Sequence, residues 1–593
     1  MTQRKLIIGI AVAASATLTL SACGSSSTKS SGSPTANAGA SAAVQNFGIG
    51  TAADNVGPAT AVTGAKSGGT VTDIEPSGFD YLDPGQVYVS NELAVVNLYN
   101  RPLTNYKVDP KTGKTILVGD LATSTGTESD GGKTWTFTLR SGLKFQDGTA
   151  ITSADVKYGV ERLYADYQTQ GPTYVPTWLS GQNYRKVYTG PASGASLPDT
   201  AISTPDANTI VFHLQTAHAD FPYAAAMPNI GAIEKSKDTG SKYNNNFQSD
   251  GPYMLASASD YVPGKSLKLV RNPNWSAASD PIRNAYPDAW NFELGVQNPQ
   301  LTTRLEASTG SDANALSLST AADSTQTDKV TSSTYATRSL SEYQPYVEYL
   351  NINMTRVTDV NVRKAIATAF PYAQLQTLYG GPSQLELGGT LISPTVGGWT
   401  AADPFNIKGK PAGDPAAAKA LLTTAGKVGY KLVYAYANTP RWQKISVVLK
   451  NSLTQAGFDV VLKPIDPTTY YTQIGTAKNT FDIYRTGWGA DWPVASTVDP
   501  ILLDGRTIGD GSPNYSHYNS AATNAEIDRI NAITNVAEQQ KEWNTLAQKV
   551  IATDVPLVPF GYDKFVQVYG TGLGGVTWQA VFGAVDVNTV FVK

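Results

Sequence analysis

The chain has 593 residues, 41% of them hydrophobic and 16% charged, with a net charge of −3. That length exceeds what one hydrophobic core organises and implies several packed lobes. The near-neutral balance, without a long basic run, excludes a nucleic-acid-binding surface, and a single cysteine excludes an intrachain disulfide or a cysteine-based metal cluster.

Arg4 and Lys5 form a short basic start, residues 6–20 are apolar or small without a charge, and Leu20-Ser21-Ala22-Cys23 follows. This is the layout of a secretory signal, and the stretch is short for a spanning helix. Residues 20–23 resemble the bacterial lipobox, which implies a signal peptide over 1–22 and lipid attachment to Cys23. The alternatives are a plain signal peptide or an N-terminal membrane helix with an incidental cysteine. Residues 23–65, rich in Ser, Gly, Ala and Thr, read as a flexible tether. About 40 such residues span roughly 35 Å. The expected location is the outer face of the cytoplasmic membrane, with the body lipid-anchored.

From about residue 68 strand and helix patterns alternate. Residues 134–139 alternate polar and apolar, Asp147-Gly148 marks a turn, and Thr152 with Asp155 forms a capping box opening a helix. Further on, Asp414 is an N-cap with Pro415 in the first turn, and Gly426 ends that helix. Residues 430–437 read as a strand, 441–456 as an amphipathic helix closed by Gly457, and 458–463 as a strand. Strand, crossover helix and strand imply a parallel pair. A last amphipathic helix covers about 539–551, and no repeat of solenoid period is present.

Catalytic chemistry finds little material. The three histidines, His213, His218 and His517, form no HExxH motif, and no GxSxG occurs. Gly264-Lys265-Ser266 resembles the end of a phosphate loop, but Ser259 stands where that loop needs glycine. A glycosidase-type carboxylate pair is defined by its separation in space, and no sequence feature marks one. No catalytic residue, metal or cofactor is expected, and a secreted hydrolase is the unsupported rival from another class.

Eight stretches in order are similar to the extracellular solute-binding proteins of ABC importers, the oligopeptide/dipeptide-binding family (family 5). They are Asp80-Tyr81-Leu82-Asp83-Pro84; Asn97-Leu98-Tyr99-Asn100-Arg101-Pro102-Leu103; residues 135–162, with Phe145 where the family has tryptophan; Asp250-Gly251-Pro252-Tyr253; residues 270–275; residues 348–370; residues 414–426; and Thr486-Gly487-Trp488-Gly489-Ala490-Asp491-Trp492-Pro493. Each alone is a weak signal; the order carries the resemblance over nearly all of 68–593.

The resemblance implies an α/β, two-lobed periplasmic-binding-protein-like fold of class II, large cluster, with an extra subdomain in lobe I and a hinge between the lobes. Mapped by the matched stretches, lobe I holds 66–104, 231–325 and 556–593, the inserted subdomain 105–230, and lobe II 326–555. It also implies a di- to oligopeptide ligand in the interlobe cleft, delivered by a monomer to an ABC permease and its ATPase subunits. Asp491 is then the partner of the ligand's α-ammonium, Trp488 and Gly489 shape the adjoining wall, and the segment with Tyr88 and Val89 pairs with the ligand backbone. Arg485 stays unassigned between meeting a carboxylate and neutralising Asp491. The alternatives within the fold are a non-peptide solute (an oligosaccharide, metal chelate or opine) or a role as an extracellular peptide-signal receptor.

Overall fold

The computed structural model describes residues 47–108 and 114–593. Cys23, the apolar stretch before it and the start of the expected tether lie outside those residues. Two six-stranded sheets organise two lobes. In the first, Thr70–Glu75 is the parallel neighbour of both Ala289–Leu294 and Ala315–Leu316, and the antiparallel strands Ser266–Arg271 and Tyr261–Val262 extend the far side. Trp290, Phe292 and Leu294 alternate with exposed residues, so one face enters the core while the other meets water.

The second sheet runs in the order Leu385–Glu386, Leu557–Val568, Ser339–Ile352, Ile483–Gly489, Lys431–Ala437, Asp459–Ile465. Its edge is the expected strand–helix–strand unit, with Lys431–Ala437 parallel to Asp459–Ile465. The intervening helix Pro440–Gln455 starts on the Thr439 hydroxyl, which accepts the Trp442 N–H at 3.4 Å, and buries Ile445, Leu449 and Leu453 at four-residue spacing. Gly457 ends it in the left-handed conformation (φ +94°), and the Phe458 N–H returns to the Leu453 carbonyl at 3.0 Å. The Asp414 cap and the Thr152/Asp155 box are both formed.

Residues 104–230 build separate small sheets against the first lobe, including the four-stranded Thr127–Ser129, Thr134–Thr138, Thr209–His213 and Ile202–Asp206. The structure corrects the tether. Residues 47–65 are seated on the body: Phe47–Ile49 pairs in parallel with Thr115–Gly119, the Asn55 side chain accepts from Gly119 N–H at 2.6 Å, and the Val62 N–H donates to the Tyr286 hydroxyl at 2.8 Å. Apart from Phe47, which packs on the first lobe's core, hydrogen bonds hold this segment, so its composition still reads as tether.

Two long antiparallel strands, Ser339–Ile352 and Leu557–Val568, run from one lobe into the other. At one end Val566 and Val568 pack with Ile74, Leu301 and Leu305; at the other Leu350, Ile352, Val558 and Phe560 join the second core. Their register breaks between Tyr343 and Val347, around Pro345, which is the expected behaviour of a strand bent at a bulge. Strand Leu557–Val568 therefore belongs to the second sheet and reaches the first lobe's cores only near Phe565, later than the boundary at 556. A strand buried along its whole length carries no sign of where it changes core. Among the described residues, no helix is long and apolar enough to cross a membrane.

Candidate ligand site between the lobes

Asp491 follows the end of strand Ile483–Gly489, where the chain turns away from the sheet. The turn is tied by Thr497: its hydroxyl accepts the Asp491 N–H at 3.2 Å, and its carbonyl accepts the Trp488 indole N–H at 2.8 Å. Trp488 thus packs against a further apolar cluster of the second lobe, which includes Val347 and Ala495, behind the sheet face that bears Gly489. Gly489 is opposite Tyr346, and a Cβ there would lie 2.5 Å from two atoms of the Tyr346 ring. Only glycine lets that ring lie over the strand, from where its hydroxyl reaches the Ser90 hydroxyl of the first lobe at 3.1 Å.

The loop carrying Tyr88 is held from below by a buried ion pair. The Asp83 carboxylate takes both ends of the Arg162 guanidinium at 2.9 and 3.0 Å and also accepts the Gly85 N–H at 3.0 Å. Arg162 in turn donates to Asp238 at 3.0 Å and lies over the Tyr243 ring. The Leu82-Asp83-Pro84 element and the helix Ser153–Arg162 are in this way one structural device. It presents Tyr88, whose hydroxyl donates to Asp491 Oδ2 at 3.0 Å. Val89, largely exposed, gives its carbonyl to the Leu93 N–H as the helix Ser90–Val96 begins.

Tyr174 supplies a second hydroxyl to the same Asp491 oxygen. It opens the helix Tyr174–Ser180, packs edge-on against Trp492 with centroids 4.6 Å apart, and precedes Trp178 by one turn. Trp492 is 1% exposed and sits in the first lobe's core, although its chain comes from the second sheet. Its indole N–H donates to Asp220 Oδ2 at 3.1 Å, and the Ser496 hydroxyl donates to the same oxygen at 2.6 Å. Tyr174, Trp178, Asp220, Trp492 and Ser496 line a cavity of about 440 Å³.

Electrostatically, the Asp491 carboxyl group is held by hydroxyls alone. Two hydroxyls stabilise one oxygen, and among the described residues no Lys, Arg or His nitrogen comes within 4 Å of it. Burial pushes its pKa up to about 6, with the two tyrosine hydrogen bonds opposing the rise. Arg485 does not neutralise it: its guanidinium donates through two nitrogens to both oxygens of Glu348 and lies over the Trp442 ring. Gly487, opposite Glu348, leaves the space for that pair.

Residues 117–508 match the family model described as bacterial extracellular solute-binding proteins, family 5, middle region. The chain belongs to this family. As a family 5 solute-binding protein it is 26% identical over 523 residues to the probable D,D-dipeptide-binding periplasmic protein DdpA of Escherichia coli (strain K12), covering 86% of this chain and 92% of that protein. It is 23% identical over 474 residues to the periplasmic oligopeptide-binding protein OppA of Haemophilus influenzae (strain ATCC 51907 / DSM 11121 / KW20 / Rd), covering 75% and 80%. Among solved structures, clavulanic acid biosynthesis oligopeptide binding protein 2 superposes with a TM-score of 0.81 at 28% identity, over 91% of this chain and all of that one.

In this family 5 chain the structure brings Asp491, Gly489 and Tyr88 to one seam between the lobes, while Trp488 supports it from behind and Val89 lies at its edge. Sequence reasoning missed Tyr174, Asp220 and Tyr346, and it placed Ser90 in the segment of Tyr88 without its contact to Tyr346. Tyr174 and Asp220 come from the inserted segment, 317 and 272 residues from their partners Asp491 and Trp492. No local pattern marks them.

Proposed function

We propose that this protein is the lipid-anchored, substrate-binding component of an ATP-driven importer. In this reading it captures peptides with a free α-ammonium between its lobes and delivers them to a membrane permease served by separate ATPase subunits. The observation that carries the reading is Asp491, a carboxylate at the lobe seam with hydroxyl donors on one oxygen and, among the described residues, no cation within 4 Å. An ammonium withdrawn from water needs a charged, hydrogen-bonded partner, and this is the group that answers it. Trp488 and Gly489 set the wall beside it, Tyr88 closes it from the opposite lobe, and the segment at Val89 flanks the ligand. Relatives named as peptide-binding support the ligand class. Attachment through Cys23 keeps the capture step at the membrane, and closure on the ligand gives the permease a form to recognise.

Titration calorimetry with matched pairs of short peptides, N-terminally free and N-acetylated, tests this directly. The free peptides bind, acetylation removes most of the affinity, and Asp491→Asn weakens the free peptides by about 30-fold to several-thousandfold, as loss of one partner of a buried charge pair does. Equal affinity of free and acetylated peptides, or an Asp491→Asn variant that binds as well as the parent, overturns the assignment.

A further inference from the structure

A second carboxylate in the cleft has no partner. Asp563 lies midway along strand Leu557–Val568, paired in register with Leu385, and lines an interlobe cavity of about 330 Å³. The first lobe contributes Asn298, Thr320 and Asp323 to the wall, and the second contributes Gln344 and Glu348.

The charged groups around the cavity differ in how they are occupied. Glu348 and Arg485 satisfy each other, and Arg485 is further covered by Trp442. Asp323 accepts from the Thr325 N–H at 3.0 Å and its hydroxyl at 2.6 Å. The Lys564 ammonium is 4.0 Å from Glu386 and 5.4 Å from the centre of the Tyr343 ring. Arg441, exposed but also lining the cavity, lies over the Tyr379 ring. Asp563 alone receives no hydrogen bond, and among the described residues no cation lies within 4 Å of it. Burial and the neighbouring Glu348 hold its pKa well above the usual carboxylate range, against the opposing pull of Arg485 and Arg441. Arg485 is thus already engaged on two nitrogens, whereas the Asp563 carboxyl group is open to a cationic guest.

We propose that this cavity is a second charged subsite of the cleft, in which Asp563 receives a cationic side chain of the ligand, ammonium or guanidinium. The inference rests on the peptide reading above and adds a sequence preference to it. Asp491 is not among the residues lining this cavity, so the cation received here is a side chain distinct from the α-ammonium.

The test uses alanine pentapeptides with a free N-terminus, carrying one Lys, Gln or Glu at each position in turn, titrated into the whole protein by calorimetry. At one inner position Lys binds at least about tenfold more tightly than Gln, the scale of one charge-assisted hydrogen bond, and Glu binds less well than either. Asp563→Asn brings the Lys-to-Gln affinity ratio to about one, and Arg441→Gln preserves the Lys advantage. Thermal melting of the empty Asp563→Asn protein, equal to or above the parent, shows that the variant folds. Equal binding of Lys and Gln peptides at every position, with the alanine parent still bound, overturns the subsite and leaves the peptide reading intact. A Lys advantage that survives Asp563→Asn also overturns it. Failure of every peptide, the alanine parent included, removes the peptide reading and the subsite together.

Discussion

At Asp491 the folded, empty protein holds a proton up to about pH 6, against an ordinary value of 3.8. Between those values the folded state binds more protons than the unfolded one. The group therefore favours folding most at the acid end, and that contribution is lost as the pH rises towards 6, by about 2–3 kcal/mol in all. Other buried carboxyls, Glu92, Asp250 and Glu342, are each pushed up to about 7 by burial, so the difference between parent and Asp491→Asn isolates the effect. Melting curves across this range are expected to show the parent losing stability relative to the variant, while calorimetry shows cation affinity rising as Asp491 ionises. The Asp83–Arg162 pair is a different kind of residue-scale device, because both ions are buried and mutually satisfied. Arg162→Ala strands Asp83 and is expected to cost about 3–5 kcal/mol in denaturant unfolding, and to weaken ligand binding through the displaced Tyr88 loop.

Among elements, the bend in the strand Ser339–Ile352 and the flat end of Ile483–Gly489 fit each other through one missing side chain. Gly489→Ala forces the Tyr346 ring aside and separates its hydroxyl from Ser90. The expected outcome is a loss of about 1–3 kcal/mol of stability and weaker ligand binding, read by thermal melting and calorimetry on the same protein. Elements were also where the sequence was most legible. The Thr152/Asp155 box, the Asp414 cap, Gly457 and the strand–helix–strand at 431–465 rest on contacts within a few residues, so local pattern suffices. Asp491 and Tyr88 were reached only through resemblance, since nothing nearby in sequence announces that they meet. Residues 47–65 misled for the opposite reason: apart from Phe47, their anchors are hydrogen bonds, which leave no apolar signature. Tyr174 and Asp220 stayed hidden because a contact across some 300 positions has no periodicity.

For the molecule as a whole, the two lobes already touch along one line without a ligand, through Tyr88 and Tyr174 on Asp491, Ser90 on Tyr346, and Asp220 on Trp492 and Ser496. Among the described residues two long strands carry the sheet structure across, so closure depends on these polar contacts and on whatever fills the cleft. Asp220→Ala removes the acceptor of a buried indole N–H and should shift the empty protein towards an open form. Small-angle scattering is expected to show a larger radius of gyration for this variant, restored by saturating peptide; an unchanged curve would place the latch elsewhere.

Trp492 has an optical consequence. Its indole is sealed among aromatic rings of the partner lobe, bonded to Asp220 and edge-on to Tyr174. Parting the lobes pulls a chromophore from a dry, rigid setting into water, which lengthens its emission wavelength. The molecule thus carries an unlabelled fluorescent gauge of its own opening, at the seam where a guest would be held.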